Sequence, residues 1–202
     1  MSYPAGRMSS SKMLGWILSL GLGACVLPSS PSETFTPARE SLFDPALTWR
    51  DETGAVVSLA RWGGTPVVVT PFYTTCTLRC PMTIQALRRI DAAYHAVGAH
   101  AEFVLITIDP RTDSPARLAR FKASHAIPAE WHLLSGGESQ TREASRLLGV
   151  HAARDEGHID HDVRIVVFDG AGGMARSADG WDFDPASMVV VGRMDRVPSS
   201  QE

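Results

Sequence analysis

"PVVVTPFYTTCTLRCPMTI", residues 66–84, runs from β-branched residues through a pair of cysteines to the start of a helical pattern. A continuous apolar run such as residues 66–72 predicts a strand that is covered on both faces. Cys76 and Cys80 follow this strand, and apolar residues recur at helical spacing from Ile84 until a stop near Gly98. The stretch therefore predicts a buried strand, a loop that carries the two cysteines, and a helix.

Strands and helices alternate through the rest of the chain. Ser114 and Pro115 predict a helix start, with the serine hydroxyl at the N-cap and the proline at the first helical position. The other predicted elements are a hairpin at 47–59, strands at 101–109, 131–134, 163–169 and 174–178, a helix at 139–148 that Gly149 ends, and a short helix from Pro185. This alternation predicts an α/β fold, in the order of a thioredoxin-like domain with an N-terminal β-hairpin and an inserted helix and strand.

The N-terminal segment has the features of an export signal. Arg7 and Lys12 provide the positive region, and "MLGWILSLGLG" provides an apolar core that is shorter than the roughly 20 residues of a membrane-spanning helix. The core ends in "LGAC", which resembles the processing site of bacterial lipoproteins, so we expect Cys25 to carry a lipid. An ordinary signal peptide that contains a cysteine is the alternative. We expect export to the periplasm or to the outer face of the cell membrane.

Composition and net charge limit the functions that this chain can have. Differences in composition along the chain indicate its segments. The 202 residues are 44% hydrophobic and 20% charged, which suits a globular domain with a core. The net charge of −3 gives no indication of nucleic-acid binding, which requires a basic surplus or stripe. We predict four segments: a lipoprotein signal peptide at 1–24, a flexible linker at 25–42, the thioredoxin-like domain at 43–196 and a disordered tail at 197–202.

The position of Cys76 and Cys80 favours a redox or metal-binding function over a structural disulfide. Exported cysteines often form disulfides, but the loop that this pair would close is too short to remove much entropy from the unfolded chain. A helix N-terminus favours the thiolate, which attacks disulfides and also binds metals. Three residues separate the cysteines, instead of the two of the thioredoxin motif, and two thiolates with an imidazole suit copper. A redox pair and a metal site both remain open here.

Candidate partners of the cysteines lie near the same sheet edge. His161 precedes the strand at 163–169, which in this fold runs antiparallel to the strand at 66–72, so its start meets the end where the cysteines lie. His158 is a weaker candidate in the same polar turn. Asp109 ends the strand at 101–109 and either orients a ligand or a basic partner, or begins a turn. Met82 could offer a thioether to copper, although we expect it to pack.

Three motifs in order resemble the Sco/SenC family of copper-handling proteins, which assemble cytochrome c oxidase. Its C-x-x-x-C-P motif matches Cys76, Cys80 and Pro81, "TIDPRTDSP" at 107–115 resembles its "S-V-D-P-x-x-D-T-P", and "IDH" ending at His161 resembles its "V-D-H". The resemblance covers residues 43–191 and implies that Cys76, Cys80 and His161 are the copper ligands. It implies delivery of copper to the dinuclear CuA centre of the oxidase, or reduction of the cysteines of that oxidase subunit. Arg79, between the cysteines, is a departure that places a cation beside the site.

Other functions remain possible for this architecture. A general thiol–disulfide oxidoreductase would carry a proline before the strand that faces the cysteines, and "HIDHDVRI" has none. Peroxiredoxins have Thr or Ser three residues before the reactive cysteine, where this chain has Tyr73. A copper sensor would need the same ligands as a chaperone. We expect a metallochaperone rather than a turnover enzyme, with an oxidase subunit or another cuproprotein as recipient and a thioredoxin-like reductant as a possible further partner.

Overall fold

The computed structural model describes residues 41–155 and 158–191. The predicted signal peptide, Cys25, nearly all of the predicted linker and the predicted tail lie outside these residues. Within the described ranges, none of the helices combines the length and the apolar character needed to cross a membrane.

Nine strands and three α-helices make up the described residues. The strands are β1 (Trp49–Asp51), β2 (Val56–Val57), β3 (Val67–Phe72), β4 (Glu102–Thr107), β5 (His132–Ser135), β6 (Ala152–Asp155), β7 (His158–His161), β8 (Arg164–Phe168) and β9 (Met174–Asp179). The helices are α1 (Arg79–Ala96), α2 (Pro115–Ser124) and α3 (Glu138–Leu148), and 3-10 turns span Leu59–Trp62 and Pro185–Met188.

A seven-stranded sheet in the order β2-β1-β5-β4-β3-β8-β9 organises the domain. β3 is central, parallel to β4 and antiparallel to β8, and β8 pairs with β9 in the antiparallel edge expected from the sequence. β1 and β2 form the N-terminal hairpin, and α2 and β5 form the inserted helix and strand. The predicted α/β class with thioredoxin-like order is confirmed.

Every residue of β3 is buried, because the sheet has an apolar layer on each face. Val68 and Phe72 pack on the side of α1, in a cluster that includes both cysteines and Ile84. Val67 and Val69 point to the opposite layer, in agreement with the two-residue period of a strand. The strand that precedes the cysteines is thus fixed on both faces.

Three local predictions need correction. The Ser114 hydroxyl makes no capping hydrogen bond, although Pro115 does begin α2. The segment from Pro185 is a single 3-10 turn, not an α-helix. Residues expected to form a polar turn before β8 instead form β6 and β7, a separate antiparallel pair in which His161 is a strand residue opposite Ala152. Gly149, by contrast, ends α3 as predicted, with a φ of 67° that an L side chain rarely adopts.

Candidate metal centre

The loop between β3 and α1 is held by hydrogen bonds to its own backbone and sulfur atoms. The backbone N–H of Cys76 donates to the carbonyl of Tyr73 at 3.1 Å. Cys80 lies in the first turn of α1, where the N–H groups have no partner within the helix, and its N–H donates to Cys76 Sγ at 3.3 Å. The Cys80 sulfur also lies 3.7 Å from the Tyr73 carbonyl oxygen. The first turn of α1 thus places a backbone N–H donor within hydrogen-bonding distance of Cys76 Sγ.

The two cysteines have opposite protonation tendencies. Both are free and buried, with 5% of Cys76 and 3% of Cys80 exposed. The Cys80 thiol donates to Cys76 and, together with His161 and the N–H groups of Cys80 and Arg79, lowers the pKa of Cys76 to about 3 against the opposing effect of burial. The same hydrogen bond, followed by burial, raises the pKa of Cys80 far above its usual value. These contacts therefore favour the thiolate at Cys76 and the thiol at Cys80.

His161 presents an unpartnered nitrogen at this site. Its Nδ1 lies 2.7 Å from the backbone oxygen of Asp162, which can only accept, so Nδ1 carries a proton and donates it there. Nε2 is buried and has no partner in hydrogen-bonding geometry, although the imidazole is near enough to Cys76 to stabilise its thiolate. A ring held by a backbone carbonyl at one nitrogen, with the other free, is the usual arrangement of a metal-binding histidine.

Tyr73 connects the cysteine loop to the strand that carries the histidines. Its ring lies 5.8 Å from the ring of His161 in an edge-on arrangement, and its hydroxyl lies 3.3 Å from Nδ1 of His158. Burial, and then the negative charge of Cys76, raise the pKa of Tyr73. His158 is exposed and lies beside the tyrosine, outside the buried group. Sequence reasoning missed this role of Tyr73, because no motif marks a contact that depends on the position of β7.

Arg79 fastens β7 to the start of α1. Its Nη1 donates to Oδ1 of Asp160 at 2.9 Å and to the backbone oxygen of His161 at 2.7 Å. Arg79 thus places its cation beside the site through contacts with β7. The guanidinium is paired with a carboxylate, and Arg79 acts on the pKa of Cys76 through its backbone N–H.

Asp109 and Met82 are the two remaining candidate residues. Asp109 is buried and pairs with Arg154 of β6 at 2.7 Å, and its carbonyl also accepts from the N–H groups of Thr112 and Asp113 in a turn. Asp109 thus has a basic partner and also begins a turn, which are two of the roles that the sequence suggested for it. Met82 is 45% exposed, so it packs only in part.

An open groove of about 870 Å³ gives access to His161. Arg79 and Asp160 line it near α1, and Trp181 and Arg164 line it near β8 and β9. A groove built from side chains of separate elements has no sequence signal. His161 itself is 7% exposed, so the groove lies beside a residue that is almost covered.

The donor chemistry of the site fits a soft metal ion. Two sulfurs and an unpartnered imidazole nitrogen are the ligands that copper prefers. Within the described ranges, however, no group of three or more His, Cys, Asp or Glu side chains is arranged to hold an ion. The Cys80 thiol is engaged with Tyr73 and Cys76, so it must lose its proton and reorient before it can bind a metal.

Comparisons with solved structures give the same fold. ScoI of Arabidopsis thaliana, solved with copper bound, has a TM-score of 0.63 and 17% identity over 70% of this chain and 89% of that chain. A SCO1/SenC family lipoprotein of Bacillus anthracis has a TM-score of 0.63 and 19% identity over 69% and 86%. BsSco, described with a disulfide switch and as a member of the Sco family of cytochrome c oxidase assembly proteins, has a TM-score of 0.60 and 20% identity over 69% and 84%. At these identities the likeness establishes the fold.

The family follows from the sequence itself. A comparison with curated protein sequences found no match. The SCO1/SenC family pattern, in contrast, matches residues 36–191, which include both cysteines, the turn that begins at Asp109, and His161. The chain therefore belongs to the SCO1/SenC family.

Proposed function

We propose that this protein is a copper metallochaperone that binds copper through Cys76, Cys80 and His161 and delivers it to the CuA centre of cytochrome c oxidase. The observation that carries the proposal is the buried Nε2 of His161, which has no partner and lies beside the Cys76 thiolate. An unpartnered buried nitrogen costs free energy unless a ligand uses it. Copper is the cargo that this set of donors suits.

Copper uptake on this proposal is coupled to release of a proton. Cys76 is already a thiolate, whereas Cys80 must give up the proton that it shares with Cys76. With two sulfurs and one nitrogen the ion would be three-coordinate, which leaves a free position for a ligand of the recipient. The ScoI protein of Arabidopsis, solved with copper bound, supports copper as the metal.

We further propose that the protein is exported and anchored by a lipid at Cys25, on the periplasmic or outer face of the membrane. The Bacillus anthracis relative, a lipoprotein of the same family, supports this assignment. BsSco, as a member of a family of cytochrome c oxidase assembly proteins, supports an oxidase subunit as the recipient. Another cuproprotein could accept copper in the same way.

A dedicated thiol–disulfide reductase is the second candidate, and the unequal protonation of the cysteines favours it. Cys76 as thiolate attacks one sulfur of a partner disulfide, and the partner's other sulfur leaves as a thiolate. Cys80 then loses its proton and attacks Cys76, which releases the partner as a dithiol and leaves the Cys76–Cys80 disulfide. A thioredoxin-like dithiol would restore the reduced pair.

Copper binding by the purified, reduced chain tests the main proposal. We expect one equivalent of Cu(I), and His161→Ala should weaken binding by at least about a hundredfold, since even changes that act through a ligand cost 10- to 100-fold. His151→Ala is the matched control, because His151 lines the same groove, is exposed and pairs with Asp162. His158→Ala decides whether that side chain contributes.

The outcome also distinguishes the copper chaperone from the thiol–disulfide reductase. Copper affinity that is equal in wild type and His161→Ala would contradict the chaperone. Rapid reduction of a model disulfide by such a protein would then assign it to the reductases.

A further inference from the structure

A cavity of about 360 Å³ lies between the N-terminal hairpin, the connection from β4 to α2 and the start of α3, and the proposed function does not use it. Strand β5 ends at Ser135 and α3 begins at Glu138, with only Gly136 and Gly137 between them. The parallel strands β4 and β5 end at the same edge of the sheet, where α/β proteins bind ligands. The cavity therefore lies where a strand leads through two glycines into a helix.

The start of α3 presents backbone donors that have no acceptor in the described part of the chain. No side chain makes a capping hydrogen bond there, and the backbone N–H groups of residues 138–140 donate to no described group. Such N–H groups, together with the positive end of the helix dipole, favour the binding of an anion. Every helix has an end of this kind, so a binding site requires a further group that points to a ligand.

Trp49 supplies this further group. Its side chain lines the cavity and is 2% exposed, and its Nε1 is buried without a hydrogen-bond partner. An indole N–H can only donate, and a buried one usually has an acceptor. A Cβ added to Gly136 would lie 3.3 Å from Nε1 of Trp49 and 3.0 Å from its Cδ1, so this edge of the indole faces the glycine loop. The unpartnered donor and the start of α3 thus meet at the same cavity.

Two hydroxyl groups and a cation add to these donors. Ser135 is buried at the end of β5, and Ser114 is exposed just before α2. Both line the cavity, and neither hydroxyl has a hydrogen-bond partner among the residues that the structure describes. Arg50 also lines the cavity, and its Nη1 donates to the backbone oxygen of Gly54 at 3.0 Å. The cavity therefore collects donors from three separate segments.

The acidic side chains nearest the cavity have donors or cations of their own. Asp113 lines the cavity, and its carboxylate accepts from the backbone N–H of Thr74 at 3.0 Å. Glu138, in the first turn of α3, pairs with Arg111 at 3.3 Å and with Arg142 at 3.9 Å. The indole of Trp49 has no such partner, so an acceptor for it must come from outside the described residues.

We propose that this cavity binds the oxyanion group of a small molecule, a carboxylate or a phosphate. The backbone N–H groups of residues 138–140 and Nε1 of Trp49 donate to its oxygen atoms, and Arg50 balances its charge. The two glycines make room for this arrangement. A Cβ on Gly136 or Gly137 would lie 2.9 or 2.8 Å from the side chain of Gln140, which also lines the cavity.

NMR titration of the isotope-labelled full chain tests the proposal. Sodium phosphate and sodium acetate are each compared with sodium chloride at the same ionic strength. We expect the indole N–H of Trp49 and the backbone N–H groups of residues 138–140 to shift and to saturate with at least one of the two oxyanions. Saturation with acetate alone would identify a carboxylate site, and saturation with phosphate alone a phosphate site. The absence of saturation with both, or equal shifts with chloride, would overturn the proposal.

Trp49→Phe keeps an aromatic ring and removes the donor. The affinity, read from residues 138–140, should fall by about tenfold or more, the loss expected for one hydrogen bond to a charged group. Trp131→Phe is the matched control, because Nε1 of Trp131 is also buried without a partner, but its ring stacks on Phe103 on the other face of the sheet. Its substitution should leave the affinity unchanged. Equal affinities of Trp49→Phe and wild type would contradict the site.

Ser135→Ala decides the matter if Trp49→Phe does not fold. It removes a hydroxyl that lines the cavity, so the affinity should fall by about threefold or more. Ser139→Ala is its control, because the exposed Ser139 hydroxyl bonds to Oε1 of Gln140 and does not line the cavity. Equal affinities of all three proteins would contradict the site. None of these measurements uses copper or the cysteines, so their outcome is independent of the proposed function.

Discussion

The candidate site has two arms that are held in different ways. The cysteine arm, residues 73–80, continues the central strand β3, all of whose residues are buried, and its hydrogen bonds join backbone groups, sulfur and the buried carboxylate of Asp113. The histidine arm, strands β6 and β7, is a separate two-stranded sheet, and Ala152, Ala153 and Arg154 on β6 are exposed. Polar contacts such as Arg154–Asp109 and Arg79–Asp160 fasten it to the main sheet and α1. The core thus fixes one arm, and pairs of side chains hold the other.

The largest expected effect is the loss of copper binding on substitution in the cysteine arm. Cys76→Ser replaces a soft thiolate by a hydroxyl, so we expect Cu(I) affinity to fall by at least about a thousandfold, roughly 4 kcal/mol. Competition with a Cu(I) chelator measures the change. Cys25→Ser is the control, since it should leave copper affinity unchanged while it removes the proposed membrane anchor. Equal effects of the two substitutions would contradict the assignment of Cys76.

The reactivity of Cys76 should be nearly independent of pH. Its pKa is lowered to about 3 from a usual value of 9.0, so the thiolate persists at every pH well above 3. Alkylation of the reduced protein should change little between pH 5 and pH 8, where an ordinary thiol changes about a thousandfold. The measurement is the iodoacetamide rate at the peptide that contains Cys76.

Substitutions of Cys80 and His161 compare the two arms through the same alkylation rate of Cys76. The Cys80 thiol contributes most to the lowered pKa and His161 contributes less, so Cys80→Ala should raise the pKa of Cys76 more than His161→Ala does. A steep pH profile in the wild type, or the opposite order of the two variants, would show that the cysteine arm does not by itself maintain the thiolate.

Release of the histidine arm should weaken copper binding without changing Cys76. Arg154→Gln removes the partner of the buried Asp109, and a hydrogen bond between charged groups contributes about 1.5–3 kcal/mol. Because Arg154 is partly exposed, we expect the lower part of this range, or about a tenfold loss of copper affinity. The alkylation rate of Cys76 should stay the same. Arg176→Gln on β9 is the control, since Arg176 is exposed and donates to the neighbouring Ala175 carbonyl.

The smallest effect is expected at the exposed surface beside the cysteines. Met82→Ala should change the unfolding free energy by no more than about 0.5 kcal/mol, because Met82 is 45% exposed. Copper affinity should also stay within about twofold, which a chelator titration measures. A larger loss of affinity would identify the thioether as a copper ligand and would extend the site beyond the two arms.

Sequence patterns predicted the order of strands and helices because the central strand and the helices have strong local signals. The buried run before the cysteines, the spacing from Ile84 and the stop at Gly149 each reflect the chemistry of a few neighbouring residues. The ligand set of Cys76, Cys80 and His161 stays a prediction of the motifs. The structure adds that the three side chains come from loop, helix and strand positions around Tyr73.

The β6–β7 pair was missed for a physical reason. Its strands are short and polar, with His158 and Asp160 exposed and only Ile159 and His161 of β7 buried, so an apolar pattern is absent. Such a hairpin depends on distant contacts, among them the Arg154–Asp109 pair and the bonds from Arg79. The role of Asp113 was equally hidden, since its partner Thr74 lies 39 residues away in the chain.

The sequence by itself determined the order of strands and helices, the place of the cysteines at a helix start, and the family motifs, because these depend on residues close together in the chain. Only the tertiary structure decided that the pKa of Cys76 is lowered and that of Cys80 raised, that Nε2 of His161 is left without a partner, and that two carboxylates of one turn hold the two arms. Those properties arise from burial and from hydrogen bonds between remote segments, and both exist only once the sheet has assembled.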